Sequence, residues 1–157
     1  MILVTVGTNE ARFDRLLHAV AELPAGERVL VQYGASPVRP PNAECVEFLL
    51  FDELVEAIRA ARVVVTHAGV GSILTVLSAG KRPVVVPRLQ RYGEAVDDHQ
   101  VEFGRRLGEA GLVTFVEEPS GLATAVAAAD TAAAVQVRPS PELVEELRAY
   151  LAAVVSR

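Results

Sequence analysis

Three stretches of the chain combine residue types at spacings that could do chemistry. The first is Thr66-His67-Ala68-Gly69-Val70-Gly71-Ser72, lying between an apolar run and a helical pattern. Its glycines let backbone amides approach a ligand with no Cβ in the way. A helix start presents unpaired N–H groups and the positive end of its dipole, and Ser72 adds a hydroxyl, a combination suited to a phosphate or diphosphate. Glycines that only turn the chain and a serine that only caps a helix account for the same stretch equally well. The second is Gly7-Thr8-Asn9, also ahead of a helical pattern, where amides and the Thr8 hydroxyl could hold a further phosphate oxygen. Asn9 as a plain helix cap is the alternative there.

The third stretch runs over residues 87–100. From Lys81 to Arg91 there are four basic residues and no acid, and then Glu94, Asp97 and Asp98 crowd the start of a predicted helix. Favourable interaction with the helix dipole accounts for Glu94 and Asp97. Asp98, His99 and Gln100 together offer carboxylate, imidazole and amide, the set that vicinal sugar hydroxyls need because each hydroxyl both donates and accepts. A metal held by His67, His99 and Asp98 is a rival reading that no ligand spacing supports.

Other nucleotide chemistries fail on spacing. A dinucleotide fingerprint would need glycine where Leu74 stands, and a Walker A loop would need Ser or Thr after Lys81, where Arg82 stands. A GxSxG nucleophile elbow is absent, since Ile73 and Leu74 follow Ser72. Hydride transfer, ATP hydrolysis and serine hydrolysis are therefore not expected.

The elements that must position these loops follow from periodicity. Apolar, β-branched runs at 2–6, 28–33, 45–49, 62–66, 83–86 and 112–116 predict strands. Helical patterns separate them: one capped by Asn9 with Phe13, Leu16, Leu17 and Val20 on one face, then 53–61 capped by Asp52, 72–79, and 94–110. Continuous apolar strands alternating with helices predict a single α/β domain, a Rossmann-like doubly wound parallel sheet covered on both faces. Ligands in such folds lie beyond the carboxyl ends of the strands, where the three stretches fall. An Ala-rich stretch at 122–135 is compatible with a closely packed helix. Residues 138–157 are expected to form a linker and a terminal helix begun by Pro141, with Leu143, Leu147, Leu151 and Val154 as an apolar stripe.

Composition bounds the function. The 157 residues suffice for one core, and 51% are hydrophobic, which excludes general disorder. A formal charge of −5 argues against nucleic acid as the main partner. Cys45 is the single cysteine, so no multi-cysteine metal site is expected. No run reaches the roughly 18 apolar residues of a membrane span. A soluble, cytoplasmic domain is the expectation.

Taken in order, the three stretches resemble one family. The chain looks like the C-terminal, nucleotide-sugar-binding half of a family 28 glycosyltransferase of the GT-B fold. It is most similar to the free-standing halves of the split two-protein enzymes of exopolysaccharide and dolichol-linked oligosaccharide assembly. The resemblance lies in Val4-Thr5-Val6-Gly7-Thr8 with Phe13-Asp14-Arg15-Leu16, in 66–73, and in Val84-Val85-Val86-Pro87-Arg88 leading to Gly93-Glu94 and Val96-Asp97-Asp98-His99-Gln100. It implies that Gly7 and Thr8 face the donor diphosphate from one side, and that His67, Gly69, Gly71 and Ser72 hold it from the other. It also implies that Glu94 lies near the ribose and that Asp98, His99 and Gln100 meet the sugar. One position departs from the pattern: many relatives have a glutamate for the ribose where this chain has Thr75. Glu94 taking over, a nucleotide held differently, and a weakly held donor all remain open.

The implied chemistry is transfer of a sugar from a UDP-sugar, with inversion and with no metal or other cofactor, to a lipid-linked or polysaccharide acceptor. Charge growing on the departing UDP would be met by helix N-termini, loop amides and Arg88. No residue stands out as the general base that inversion requires. A membrane-associated, acceptor-binding partner protein is therefore expected to complete the site and supply it. A non-catalytic nucleotide-binding or scaffold module of the same fold is the main alternative, and a lone nucleotide-sugar hydrolase or epimerase a third.

Overall fold

The computed structural model describes residues 1–129. The predicted linker, the terminal helix with its Leu143–Leu147–Leu151–Val154 stripe, and the end of the Ala-rich stretch lie outside the described residues. Along the chain come β1 (Ile2–Thr5), α1 (Asp14–Ala21), β2 (Val29–Gln32), β3 (Glu44–Val46), α2 (Phe51–Ala60), β4 (Val63–His67) and α3 (Val70–Ser78). Then follow β5 (Val84–Val86), a 3-10 turn at Gln90–Tyr92, α4 (His99–Glu109), β6 (Thr114–Phe115), a 3-10 turn at Pro119–Gly121 and α5 (Leu122–Ala128). All six strands are parallel, in the order β3-β2-β1-β4-β5-β6. The doubly wound sheet expected from the alternation of patterns is the one that forms.

Period-2 alternation divides the strand residues between two faces. Val4, Val31 and Val65 pack with Leu16, Leu17 and Val20 of α1 and with Leu122 and Val126 of α5. On the other face Leu3 and Val64 meet Ile58 of α2 and Val76 of α3, while Val85 meets Ile73, Leu77, Phe103 and Leu107. Strand order reverses between β1 and β4, where Thr5 lies beside Thr66. The two loops that leave these strands therefore diverge and open a crevice at the carboxyl edge.

Several predicted boundaries move. Asn9 does not cap α1: its Oδ1 accepts the Ala11 N–H at 2.7 Å, a local Asx-type turn, and the helix starts at Asp14 with no side-chain cap. Asp52 lies inside the first turn of α2, and it is the Glu53 carboxylate that accepts the Leu50 N–H, at 2.8 Å. The strand predicted at 45–49 is Glu44–Val46, and the one at 112–116 is Thr114–Phe115. The largest shift is at the helix predicted from Glu94, which begins only at His99. Gly93 takes a left-handed φ of 68° and ends the preceding 3-10 turn, and Glu94 is drawn into the interior by an arginine from α1, as described below.

Candidate functional site

The crevice at the β1/β4 switch holds an open cleft of about 450 Å³, and Gly7, Thr8, His67, Gly69, Gly71 and Ser72 all line it. Its floor is built from polar residues at strand ends. Thr5 Oγ1 donates to Gln32 Oε1 and accepts the Gly7 N–H at 3.2 Å, while Gln32 Nε2 donates to the Gly7 carbonyl at 3.0 Å. Gly7 has φ of 77°, the left-handed region where a Cβ is unfavourable. The Gly7 turn is thus fixed by its own chain before any ligand arrives.

Across the cleft, Gly69 is the N-cap residue of α3 and gives it no side-chain cap, and the Ile73 N–H donates to the Gly69 carbonyl at 3.0 Å. The N–H groups ahead of it in the first turn have no helical acceptor, and the dipole leaves them partly positive. Among the described residues, His67 is the only titratable one in the lining. Its Nε2 lies 3.0 Å from Ser72 Oγ, and its Nδ1 is out of solvent with no hydrogen bond. Burial foremost, then the charge of Arg88, push its pKa down to about 4, against an opposing contribution from the Gln100 amide. The imidazole is accordingly neutral at physiological pH. The remaining wall is apolar: Phe48, Leu49, Phe51 and Leu54 line it, with Phe48 56% and Phe51 68% exposed.

The stretch from Arg88 to Gln100 is arranged differently. Arg88 is 1% exposed. Its guanidinium donates to the carbonyls of Val6 at 2.8 Å, Ala11 at 2.9 Å, Arg12 at 3.1 Å and Glu94 at 3.3 Å, and lies over the Phe13 ring. Desolvation lowers its pKa to about 10, so it stays charged. Glu94 is buried, paired with Arg15 at 2.9 Å, and accepts the Leu89 N–H at 3.0 Å. Gln100, also buried, accepts the Arg88 N–H at 3.1 Å, and Asp98 accepts the Gln90 N–H at 2.8 Å. His99 is exposed, with its ring against Asp97. None of Arg88, Glu94, Asp98, His99 and Gln100 lines the glycine cleft. Glu94 instead borders a second opening of about 540 Å³ with Arg12, Arg15 and Tyr92. From Glu94 to Gln100, the residues expected near ribose and sugar, most polar side chains tie the loop together.

Thr75 donates its hydroxyl to the Gly71 carbonyl at 2.8 Å and is not among the lining residues. Among the described residues no group of three or more His, Cys, Asp or Glu could hold a metal ion, so His67, Asp98 and His99 do not converge. Sequence reasoning missed Thr5 and Gln32, whose signal is a polar residue closing an apolar strand. It also missed Phe48, which falls inside the strand predicted at 45–49, and Phe51, which falls outside every predicted element.

The chain matches the description "Glycosyltransferase family 28 C-terminal domain" over residues 1–150. It is 30% identical, over 158 aligned positions covering 85% of this chain and 42% of the relative, to the UDP-N-acetylglucosamine--N-acetylmuramyl-(pentapeptide) pyrophosphoryl-undecaprenol N-acetylglucosamine transferase of Ralstonia nicotianae. It is 32% identical over 123 positions, covering 70% of this chain and 10% of the relative, to the UDP-N-acetylglucosamine transferase subunit ALG13 of Homo sapiens. Among solved structures, the calicheamicin glycosyltransferase CalG4 superposes with a TM-score of 0.63 at 24% identity, covering 98% of this chain and 43% of that one. MurG of Acinetobacter baumannii gives 0.58 at 22% identity, covering 87% and 44%. The chain spans less than half the length of each of these relatives.

Proposed function

The chain belongs to the glycosyltransferase family 28 C-terminal domain family, half of a GT-B fold, and from that premise we propose that it is the donor-binding subunit of a split, inverting UDP-sugar glycosyltransferase. The observation that carries the reading is the convergence of two turns on one cleft. The Gly7 turn is held open by Thr5 and Gln32, and the uncapped start of α3 faces it with Gly71 and Ser72 in the lining. N–H and hydroxyl groups lining one cleft, with no carboxylate among the described residues there, suit a diphosphate. The exposed rings of Phe48 and Phe51 beside them suit a flat base.

In this reading the donors stabilise charge that grows on the departing UDP as the bond to the sugar breaks. They are fixed in advance by the fold, so little reorganisation accompanies the step. Inversion also needs a base that removes the acceptor proton. The one titratable side chain among the described residues of the cleft, His67, is neutral but has Nε2 engaged and Nδ1 out of solvent. That supports a base contributed by an acceptor-binding partner, which would also bring this domain to the cytoplasmic membrane face where a lipid-linked acceptor is presented. No helix among the described residues is long and apolar enough to cross a membrane itself. UDP-N-acetylglucosamine is the donor to try first, because two relatives carry it in their names.

A second reading, a non-catalytic nucleotide-binding module, is favoured by Thr75, whose hydroxyl is turned onto its own helix. Calorimetric titration with UDP, UDP-N-acetylglucosamine, UDP-glucose, UDP-glucuronate and NAD, with and without divalent metal, tests the site. Metal-independent binding of a UDP compound with NAD silent is the expected result, and no UDP binding by the chain with or without its partner would overturn it. Sugar transfer on adding the partner separates the enzyme from the module.

A further inference from the structure

We infer that His67 is a positioning residue. Its imidazole is seated between Gly7 and Gly69, sets the spacing of the two turns and holds the Ser72 hydroxyl, which leaves Gly71 as the glycine that serves the ligand. The inference rests on the cleft being a nucleotide-diphosphate site and adds a division of labour among its residues.

The three glycines differ in what a side chain would meet. A Cβ on Gly69 would stand 2.1 Å from His67 Cε1, and one on Gly7 would stand 2.4 Å from His67 Nε2. Gly7 has a second reason for being glycine, its left-handed φ. Gly69 has none, since φ −83° and ψ 134° suit any residue. The ring alone accounts for Gly69. Gly71 is the converse case: its φ is not positive, and nothing lies within 4 Å of the Cβ it would carry. It sits in the first turn of α3, where alanine is the better helix former. Nothing in the chain itself requires glycine at position 71, whereas a ligand approaching the backbone through the cleft it lines does.

The ring nitrogens agree with this assignment. Nε2 is engaged with Ser72 Oγ at 3.0 Å, and Nδ1 is out of solvent. The ring therefore has no nitrogen that is both unengaged and open to a ligand in the cleft. Its influence passes through the Ser72 hydroxyl and through the width of the gap between the Gly7 and Gly69 turns.

The test uses the full chain, UDP as the probe, and two readouts: melting temperature and UDP affinity. Gly69→Ala lowers the melting temperature by about 5 °C in the wild-type background, and by no more than about 1 °C when combined with His67→Ala. Gly71→Ala leaves the melting temperature unchanged or higher and weakens UDP about ten-fold. Ser72→Ala and His67→Ala each weaken UDP about ten-fold, and the double variant loses clearly less than the roughly hundred-fold product, because part of the ring's action passes through the hydroxyl. Equal Gly69→Ala penalties in both backgrounds overturn the seating of the ring. Losses that multiply in the Ser72/His67 pair overturn its action through Ser72. A wild-type chain that does not bind UDP, alone or with its partner, overturns the nucleotide reading instead, and the melting-temperature cycle still decides the seating.

Discussion

The glycine cleft and the Arg88–Gln100 segment have similar polar inventories, yet their polar atoms go to opposite uses. In the segment nearly every one is taken by the chain: Arg88 by backbone carbonyls, Glu94 by Arg15 and the Leu89 N–H, Gln100 by the Arg88 N–H, Asp98 by the Gln90 N–H. In the cleft the first-turn N–H groups of α3 have no cap, and the aromatic wall has no cover. A charged or amide side chain near a ligand-binding edge is thus an equal candidate for holding the loop and for holding the ligand. What decides is whether its partners are already present in the fold.

The comparison breaks most visibly at Arg88. Arg88→Met should cost about 3–5 kcal/mol in urea unfolding, because it strands several carbonyls and leaves Glu94 buried with one cation fewer. A loss under about 1 kcal/mol would mean the segment is not built as described. Next comes pH. Folded His67 stays neutral down to about pH 4, whereas an unfolded-chain imidazole protonates near 6.5. Between those values the unfolded state binds the extra proton, so stability should rise with pH through that window by about 2–3 kcal/mol in all. Below about pH 4.5 Glu27 adds loss of its own, since hydrogen bonds from Arg62 first of all hold its carboxyl down at about 2. Unfolding curves between pH 5 and 7 isolate the histidine, and His67→Asn should remove its part of the slope. In the cleft the balance inverts. Phe51→Ala should leave stability within about 0.5 kcal/mol, since the ring is mostly exposed, and weaken UDP by about 1–2 kcal/mol if the base lies on it.

Local pattern made the sheet legible: β-branched runs such as Val63-Val64-Val65 and Val84-Val85-Val86 have no other reasonable fate than a buried parallel strand. The strand–glycine–helix junction at Gly69 was legible for the same reason. The start of α4 was not. Glu94 and Asp97 look like acids in a first helical turn, and only a contact with Arg15, 79 positions away, draws Glu94 inside. Nor does any local signal say that Gly69 answers to a ring two residues before it while Gly71 answers to nothing in the chain. The exposed Phe48 and Phe51 were hidden by hydrophobicity itself, because an apolar run is taken for core until the fold leaves it uncovered.

His99 gives the smallest effect and the sharpest test of the comparison, because it is the exception within its segment. Its ring is exposed and ties no distant backbone, so His99→Ala should change stability by less than about 0.5 kcal/mol, unlike Arg88→Met. It does not line the glycine cleft, so affinity for UDP alone should stay within about two-fold. If the segment meets the sugar at all, His99 is the side chain best placed to do so, and the variant should bind UDP-N-acetylglucosamine about three-fold more weakly, a change of under 1 kcal/mol. Parallel titrations of the variant with UDP and with the UDP-sugar separate the cases. Equal affinity changes for both ligands would place the segment outside sugar recognition and leave it a structural clasp. A loss confined to the UDP-sugar would divide the nucleotide between the cleft and the segment, diphosphate on one and sugar on the other.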